Sequence, residues 1–130
     1  MIVVDASAMV EWLLRGPRAA QIEGRIFDGE VEAHAPHLVD IEVAHVLRRL
    51  QRLGGISSRR GREALQDLAD APLRRVPHHP LLPRIWDLRA NFPACDAAYV
   101  ALAEALDGAL VTLDAKLAKA AGTLISVSTL

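Results

Sequence analysis

Short apolar runs alternate along the chain with longer stretches of helical periodicity, and this alternation limits the possible folds more than any other feature. The predicted strands cover residues 2–4, 32–35, 73–76, 109–112 and 124–127. The predicted helices cover residues 7–14, 18–27, 38–53, 57–71, 82–90, 95–106 and 114–121. Strands that alternate with helices favour a mainly parallel sheet with helices on both faces. The sequence therefore predicts an α/β fold.

The size and composition of the chain exclude several classes of protein. Its 130 residues match one domain, and 52% hydrophobic with 24% charged residues exclude a disordered chain. A single cysteine cannot form an internal disulfide, which favours a reducing compartment. Asp5 interrupts the apolar core that a signal peptide needs, and no apolar run approaches the ~18 residues of a membrane span. We therefore expect one cytoplasmic domain over residues 1–130, with no contact with a membrane.

Three aspartates stand where parallel α/β sheets place their chemistry. Ligands of such sheets bind beyond the carboxyl ends of the strands. Asp5 follows the first predicted strand, and Asp114 comes two residues after Thr112, at the end of the strand 109–112. Asp96 begins the predicted helix 95–106. Taken singly, each of these aspartates is also explained as a helix cap or a partner of the helix dipole.

Glu42 is harder to explain as a surface residue. At about 100° per residue, it lies roughly 40° from Leu38, at the edge of the apolar face of the helix 38–53. An inward carboxylate costs free energy unless it has a partner or serves a cation. A buried arginine or a free backbone N–H could be that partner.

Considered together, the four carboxylates predict a cation site. Like charges that lie close together disfavour ionisation, and a divalent cation removes this penalty. An all-oxygen donor set suits Mg²⁺ or Mn²⁺, which assist phosphodiester hydrolysis by lowering the pKa of a bound water and neutralising phosphate oxygens. Ser7 and Thr112 lie two residues from Asp5 and Asp114, so their hydroxyls could orient carboxylates or water, or could equally serve as caps and strand filling.

Four segments resemble the motifs of PIN-domain nucleases, in the same order along the chain. They are VVDASA at 3–8, PHLVDIEVA at 36–44, CDAAYVALA at 95–103 and LVTLDAKL at 110–117. Their spacing is most similar to that of the small toxins of VapBC toxin–antitoxin systems. The resemblance extends from residue 2 to about residue 127. No single motif is specific, whereas four in order across a chain of this length are.

This resemblance implies a PIN-like α/β/α sandwich and a Mg²⁺- or Mn²⁺-dependent endoribonuclease that cleaves RNA with a metal-activated water. By motif position, Asp5, Asp96 and Asp114 would face the metal, and Glu42 would complete the catalytic set. It also implies a homodimer and a VapB-type antitoxin that blocks the site. Some relatives carry a further acidic residue after the last motif aspartate, but here Ala115 and Lys116 follow Asp114. The sequence therefore predicts at least one metal ion.

The basic residues that could bind RNA are concentrated in one region. The net charge is −1, so attraction to RNA requires a local basic patch. Six arginines without an intervening acidic residue supply one, although a solvated helical face explains them equally well: Arg48, Arg49, Arg52, Arg59, Arg60 and Arg62. Lys116 lies closer to the predicted metal site.

A set of apolar residues near the amino terminus is either part of the core or a surface for the antitoxin: Trp12, Leu13, Leu14, Ile22, Ile26 and Phe27.

Two other functions are compatible with parts of the sequence. A non-catalytic PIN-fold module that binds nucleic acid or protein would keep the fold, although it would be expected to lose some of the four carboxylates. A phosphatase that uses Asp5 as its nucleophile normally needs a second aspartate two residues later, where this chain has Ser7. Cys95 we interpret as a small buried residue.

Overall fold

A five-stranded parallel sheet forms the centre of the computed structural model, which describes residues 1–128 and residue 130. The strands are β1 (Ile2–Val4), β2 (Ala33–Pro36), β3 (Leu73–Val76), β4 (Ala109–Val111) and β5 (Val127–Ser128). Their order is β3-β2-β1-β4-β5, and each neighbouring pair is parallel. The predicted α/β fold with a mainly parallel sheet is confirmed.

Within residues 1–128, seven α-helices and a short 3₁₀ helix connect the strands. The α-helices are α1 (Ala6–Leu13), α2 (Ala19–Ile26), α3 (Leu38–Arg52), α4 (Ser58–Asp70), α5 (Leu82–Asp87), α6 (Ala94–Leu106) and α7 (Ala115–Ala121). The 3₁₀ helix is His79–Leu81. Over the described part of the chain, none of the helices has the length and apolar character needed to cross a membrane.

The strand order explains why helices cover both faces of the sheet. From β1 the chain moves outward in one direction to β2 and β3, with α1 to α4 between them. It then returns through α5 and α6 to β4, on the other side of β1. Because such crossovers are right-handed, connections in opposite directions lie on opposite faces. Strand order therefore reverses between β1 and β4, which is where ligands of open α/β sheets bind.

Helix α6 is fitted closely against the centre of the sheet. Its residues Ala97–Ala103 are buried, and it contacts β1, β2 and β4. Four alanines in this run keep the helix surface flat enough to approach the strands. Helices in these crossovers run antiparallel to the strands, so the first turn of α6 lies at the carboxyl ends of β1 and β4. This packing places Asp96 near Asp5 and Asp114.

Two predicted boundaries are wrong near the end of the chain and in α5. The last strand begins at Val127 rather than at residue 124, because the backbone N–H groups of Leu124 and Ile125 bond to the carbonyl of Ala121 in the turn after α7. Helix α5 ends at Asp87 rather than at residue 90. There the N–H of Arg89 bonds to the carbonyl of Trp86, which tightens the last turn.

Candidate active site

Asp5 lies directly after β1 and is nine-tenths or more buried, with 5% of its surface exposed. Its Oδ1 accepts the backbone N–H of Ala8 at 3.0 Å and the Ser7 hydroxyl at 2.7 Å. Its Oδ2 accepts the Thr112 hydroxyl at 2.5 Å. Burial raises the pKa of Asp5 above its usual value, and these hydrogen bonds oppose the rise. Asp5 therefore caps α1. It also places a carboxylate, whose charged form is disfavoured by burial, at the carboxyl ends of the strands.

Ser7 and Thr112 connect the loop after β1 to the loop after β4. The Ser7 hydroxyl lies 3.3 Å from Thr112 Oγ1 and accepts the backbone N–H of Leu113 at 3.0 Å. The Thr112 hydroxyl oxygen accepts the N–H of Asp114 at 3.0 Å. Both hydroxyls thus orient the carboxylate of Asp5 while they fix the backbone that carries Asp114.

Asp114 is the N-cap of α7 and is exposed. Its Oδ1 accepts the N–H groups of Lys116 and Leu117, each at 3.0 Å. Because both capping bonds end on Oδ1, the second oxygen is not needed for the cap. The capping interpretation is therefore correct for Asp114 and leaves an oxygen available for a ligand.

Asp96 lies in the first turn of α6 and is half-buried, but it is not the cap of that helix, which is Pro93. Burial and then the negative charges of Asp114, Glu42 and Asp5 raise the pKa of Asp96. The positive charge of Lys116 acts in the opposite direction. The carboxylates predicted from four separate motifs therefore lie close enough to disturb one another.

Glu42 is half-buried on α3 and bonds to a residue that the sequence did not single out. Its Oε1 accepts the hydroxyl of Tyr99 at 2.6 Å, rather than an arginine or a free backbone N–H. Burial and this bond raise the pKa of Tyr99, which keeps the phenol protonated. Tyr99 could have been noticed as the one tyrosine of the chain, three residues after Asp96 on the same helix face.

Cys95 is exposed, so the expectation that it is buried is wrong. It stands at the second position of α6, before the run of buried residues begins. Partial burial and the neighbouring charges of Glu42 and Asp96 raise the pKa of the Cys95 thiol. The thiol is therefore a neutral group beside the acidic cluster, the name used here for Asp5, Glu42, Asp96 and Asp114.

The donor set of the acidic cluster suits a hard divalent cation. It consists of carboxylate and hydroxyl oxygens, and burial and mutual repulsion raise the pKa of two of its members, Asp5 and Asp96. Within residues 1–128 and residue 130, no three His, Cys, Asp or Glu side chains converge closely enough to ligate one ion as they stand. Mg²⁺ keeps several water ligands, so a site of this openness fits it better than a closed cage.

The predicted basic residues divide into a near and a distant group. Lys116 is exposed in the first turn of α7, and its charge acts on Asp96. Arg48, Arg49 and Arg52 are exposed at the other end of α3 from Glu42. At 1.5 Å per residue, Arg52 lies about 15 Å along the helix from Glu42. Arg52 can therefore contact RNA that extends away from the carboxylates, whereas Arg48 is only about 9 Å from Glu42 along the helix.

The fold and the acidic site define a class of protein, namely α/β proteins with carboxylates at the point where the strand order of a parallel sheet reverses. A family model described as PIN domain matches residues 2–123. Ribonuclease VapC9 from Mycobacterium tuberculosis (strain ATCC 25618 / H37Rv) is 47% identical over 117 residues, covering 90% of this chain and 88% of that protein. Ribonuclease VapC1 from the same strain is 46% identical over 121 residues, covering 92% and 90%. Ribonuclease VapC12 is 39% identical over 122 residues, covering 94% and 93%.

A solved structure shows the same fold at lower sequence similarity. The crystal structure of PAE2754 from Pyrobaculum aerophilum aligns with a TM-score of 0.75 over 97% of this chain and 81% of that chain, at 20% identity. The chain belongs to the PIN-domain family, within its VapC branch. Nucleases of this family are generally metal-dependent.

Proposed function

We propose that this chain is a Mg²⁺- or Mn²⁺-dependent endoribonuclease and the toxin of a toxin–antitoxin pair. Asp5, Asp96 and Asp114 would hold the cation, and Glu42 would support it directly or through water. One geometric observation carries the assignment of these residues: the Thr112 hydroxyl bonds both to Asp5 and to the backbone N–H of Asp114, which fixes these two residues at one edge of the sheet. Burial and then repulsion by the charges of all three other carboxylates raise the pKa of Asp96 at the same edge. Such repulsion is costly in the free protein and is relieved when a cation binds.

Each carboxylate contributes differently to this site. Asp5 is fixed by three hydrogen bonds and would serve as a rigid ligand. Asp114 offers the oxygen that its capping bonds leave free, and Asp96 offers a half-buried carboxylate from α6. A bound Mg²⁺ lowers the pKa of a coordinated water and neutralises phosphate oxygens, which is the chemistry that phosphodiester hydrolysis requires.

Lys116 is the basic residue best placed to bind the substrate near the site. This residue lies in the first turn of the helix that Asp114 caps, and its charge acts on Asp96. An RNA phosphate next to the carboxylates would therefore meet a positive charge on the side of α7. Phosphates further along the RNA would be bound by Arg48, Arg49 and Arg52.

The antitoxin is proposed to bind at a cleft between α1, α2 and α4. The cleft has a volume of about 250 Å³, and its apolar lining includes Trp12, Leu13 and Phe27. Charged side chains complete the lining: Arg15, Glu23, Asp67 and Asp70. Of the apolar residues predicted near the amino terminus, Trp12, Leu13, Ile22 and Ile26 are buried in the core, whereas Phe27 is 54% exposed. An apolar segment of the antitoxin would cover Phe27.

A homodimer and a cytoplasmic location accompany this proposal. Leu82 and Trp86 on α5 are 55% and 66% exposed, and a second copy of the chain would shield such apolar surface from water. An RNA substrate and a single unpaired cysteine favour the cytoplasm. Sedimentation of the purified chain measures the dimer directly, with a monomer mass contradicting it.

The proposed function is tested by cleavage of total RNA by the antitoxin-free protein. We expect discrete fragments that require Mg²⁺ or Mn²⁺, disappear with EDTA and are absent for Asp96→Asn. Asp107→Asn is the matched control, because Asp107 is exposed at the opposite end of α6. A folded wild-type protein that cleaves no RNA with any metal would favour the non-catalytic binding module instead.

A further inference from the structure

The Tyr99–Glu42 hydrogen bond joins the two helices that border the acidic cluster on different sides of the sheet. Tyr99 Oη donates to Glu42 Oε1 over 2.6 Å, although 57 positions separate the two residues. Glu42 belongs to α3, which packs with α1 and α4, whereas Tyr99 belongs to α6, which packs on β1, β2 and β4. The bond is therefore a direct link between two layers at the site.

Tyr99 is held rigidly, whereas Glu42 is not held by its own helix. The Tyr99 side chain is 2% exposed and is one of the largest buried residues, so its ring has a fixed position. A glutamate side chain loses considerable rotamer entropy when it is fixed, and Glu42 is only half-buried. A hydrogen bond to a charged carboxylate is stronger than a neutral one. The buried phenol can therefore select one orientation of Glu42.

The spacing on α6 connects this bond to the aspartate on the same helix. Tyr99 follows Asp96 by three positions, so both side chains lie on one face of α6. The charge of Glu42 in turn acts on Asp96. One helix face thus presents a carboxylate and holds a second carboxylate beside it.

We propose that Tyr99 is a positioning residue whose hydroxyl holds Glu42 of α3 next to Asp96 of α6, so that two carboxylates of the acidic cluster are already oriented when a divalent cation binds. This inference rests on the proposed function of the cluster. Outer groups that orient metal ligands are known to affect metal affinity by about 10- to 100-fold when removed. Tyr99→Phe removes the hydroxyl and keeps the buried ring.

The test compares Tyr99→Phe with the parent protein in two backgrounds, one with Glu42 and one with Glu42→Gln. Calorimetry measures Mn²⁺ binding, and a separate assay measures RNA cleavage. We expect Tyr99→Phe to weaken Mn²⁺ binding roughly 10-fold when residue 42 is Glu and to have little further effect when it is Gln. Ser57→Ala is the matched control. It also removes one hydroxyl, which caps α4 away from the site, so it lowers stability without changing Mn²⁺ affinity.

The outcomes separate this inference from the proposed function. Unchanged or tighter Mn²⁺ binding by Tyr99→Phe, or an equal loss in both backgrounds, overturns the positioning role and leaves the nuclease intact. If Glu42→Gln alone binds no Mn²⁺, the Mn²⁺ affinity of Tyr99→Phe is compared with that of Ser57→Ala instead. Equal affinities overturn the positioning role of Tyr99, and a roughly 10-fold lower affinity of Tyr99→Phe supports it. A wild-type protein that neither binds Mn²⁺ nor cleaves RNA overturns the proposed function, and the inference with it.

Discussion

The Thr112 hydroxyl donates a hydrogen bond to Asp5 across 107 positions of sequence. The same hydroxyl oxygen accepts the backbone N–H of Asp114 at 3.0 Å. Thr112 therefore fixes the distance between the ends of β1 and β4, the two strands between which strand order reverses. The carboxylates of Asp5 and Asp114 are brought together by the sheet itself rather than by a flexible loop.

Substitutions at Asp114 separate its capping role from its proposed metal role. Asn and Asp are equally good N-caps, so Asp114→Asn is expected to keep the stability of α7, whereas Asp114→Ala loses about 1 kcal/mol of unfolding free energy. Both variants are expected to lose cleavage by about 100-fold or more, because neither offers a carboxylate oxygen to the cation. Urea unfolding and RNA cleavage measure the two effects. Full cleavage by Asp114→Asn would reduce Asp114 to a cap.

The stability of the metal-free protein is expected to depend on the charge of Asp5. The pKa of Asp5 is raised by burial above its ordinary value of 3.8, so the folded protein takes up a proton at higher pH than the unfolded chain does. Lowering the pH through the folded pKa therefore stabilises the fold, and the gain is complete below the unfolded value.

Asp5→Asn removes this proton uptake, so its unfolding free energy is expected to gain less than that of wild type as the pH falls from 7 toward 4. Asn also caps α1. Urea unfolding in EDTA gives the comparison, with Asp107→Asn as an exposed control. Parallel pH profiles of wild type and Asp5→Asn would contradict the raised pKa.

Lys116 and Lys119 provide a matched pair for testing where RNA approaches. Both lysines are exposed on α7, and the charge of Lys116 acts on Asp96. We expect Lys116→Gln to raise KM for RNA by about 5- to 10-fold at low salt, and Lys119→Gln to change it by less than about 2-fold. Steady-state cleavage against salt concentration measures both. Equal effects of the two substitutions would show that α7 attracts RNA only by its overall charge.

Two glycines test the packing of the fold. A Cβ at Gly108 would lie 2.8 Å from the backbone oxygen of Met1, so Gly108→Ala must shift β4 against β1 and is expected to cost about 1–3 kcal/mol. A Cβ at Gly24 on α2 meets nothing within 4 Å, so Gly24→Ala is expected to stabilise the protein by about 0.5–1 kcal/mol. Thermal unfolding of the two variants should shift in opposite directions, and a shift in the same direction would contradict this packing.

The sequence predicted the sheet and its helices because their signals are local. The sequence predicts helix α3 over 38–53, and the helix ends at Arg52, since a periodic apolar face followed by two glycines marks both its course and its end. The last strand was misplaced because hydrogen bonds of Leu124 and Ile125 to Ala121, which no propensity records, extend the turn after α7.

The site was predictable only in part, because some of its contacts join residues that are far apart in the sequence. Motif order identified Asp5, Glu42, Asp96 and Asp114 as a group, and the strand order brings the loops that carry Asp5 and Asp114 together. The partner of Glu42 depends on how α3 and α6 meet across 57 positions, so single-helix periodicity could place Glu42 at the apolar edge without naming Tyr99. The exposure of Cys95 likewise depends on where the first turn of α6 emerges from the sheet.

The most direct measurement follows RNA cleavage and Mn²⁺ occupancy on the same preparations of wild type and Asp96→Asn. If the carboxylates form one catalytic cation site, the single-turnover cleavage rate of wild type rises with Mn²⁺ in proportion to calorimetric occupancy. Both signals are then lost or strongly weakened in Asp96→Asn, which should remain folded by circular dichroism. Cleavage that persists in EDTA, or a folded Asp96→Asn protein that cleaves at the wild-type rate, would contradict the account.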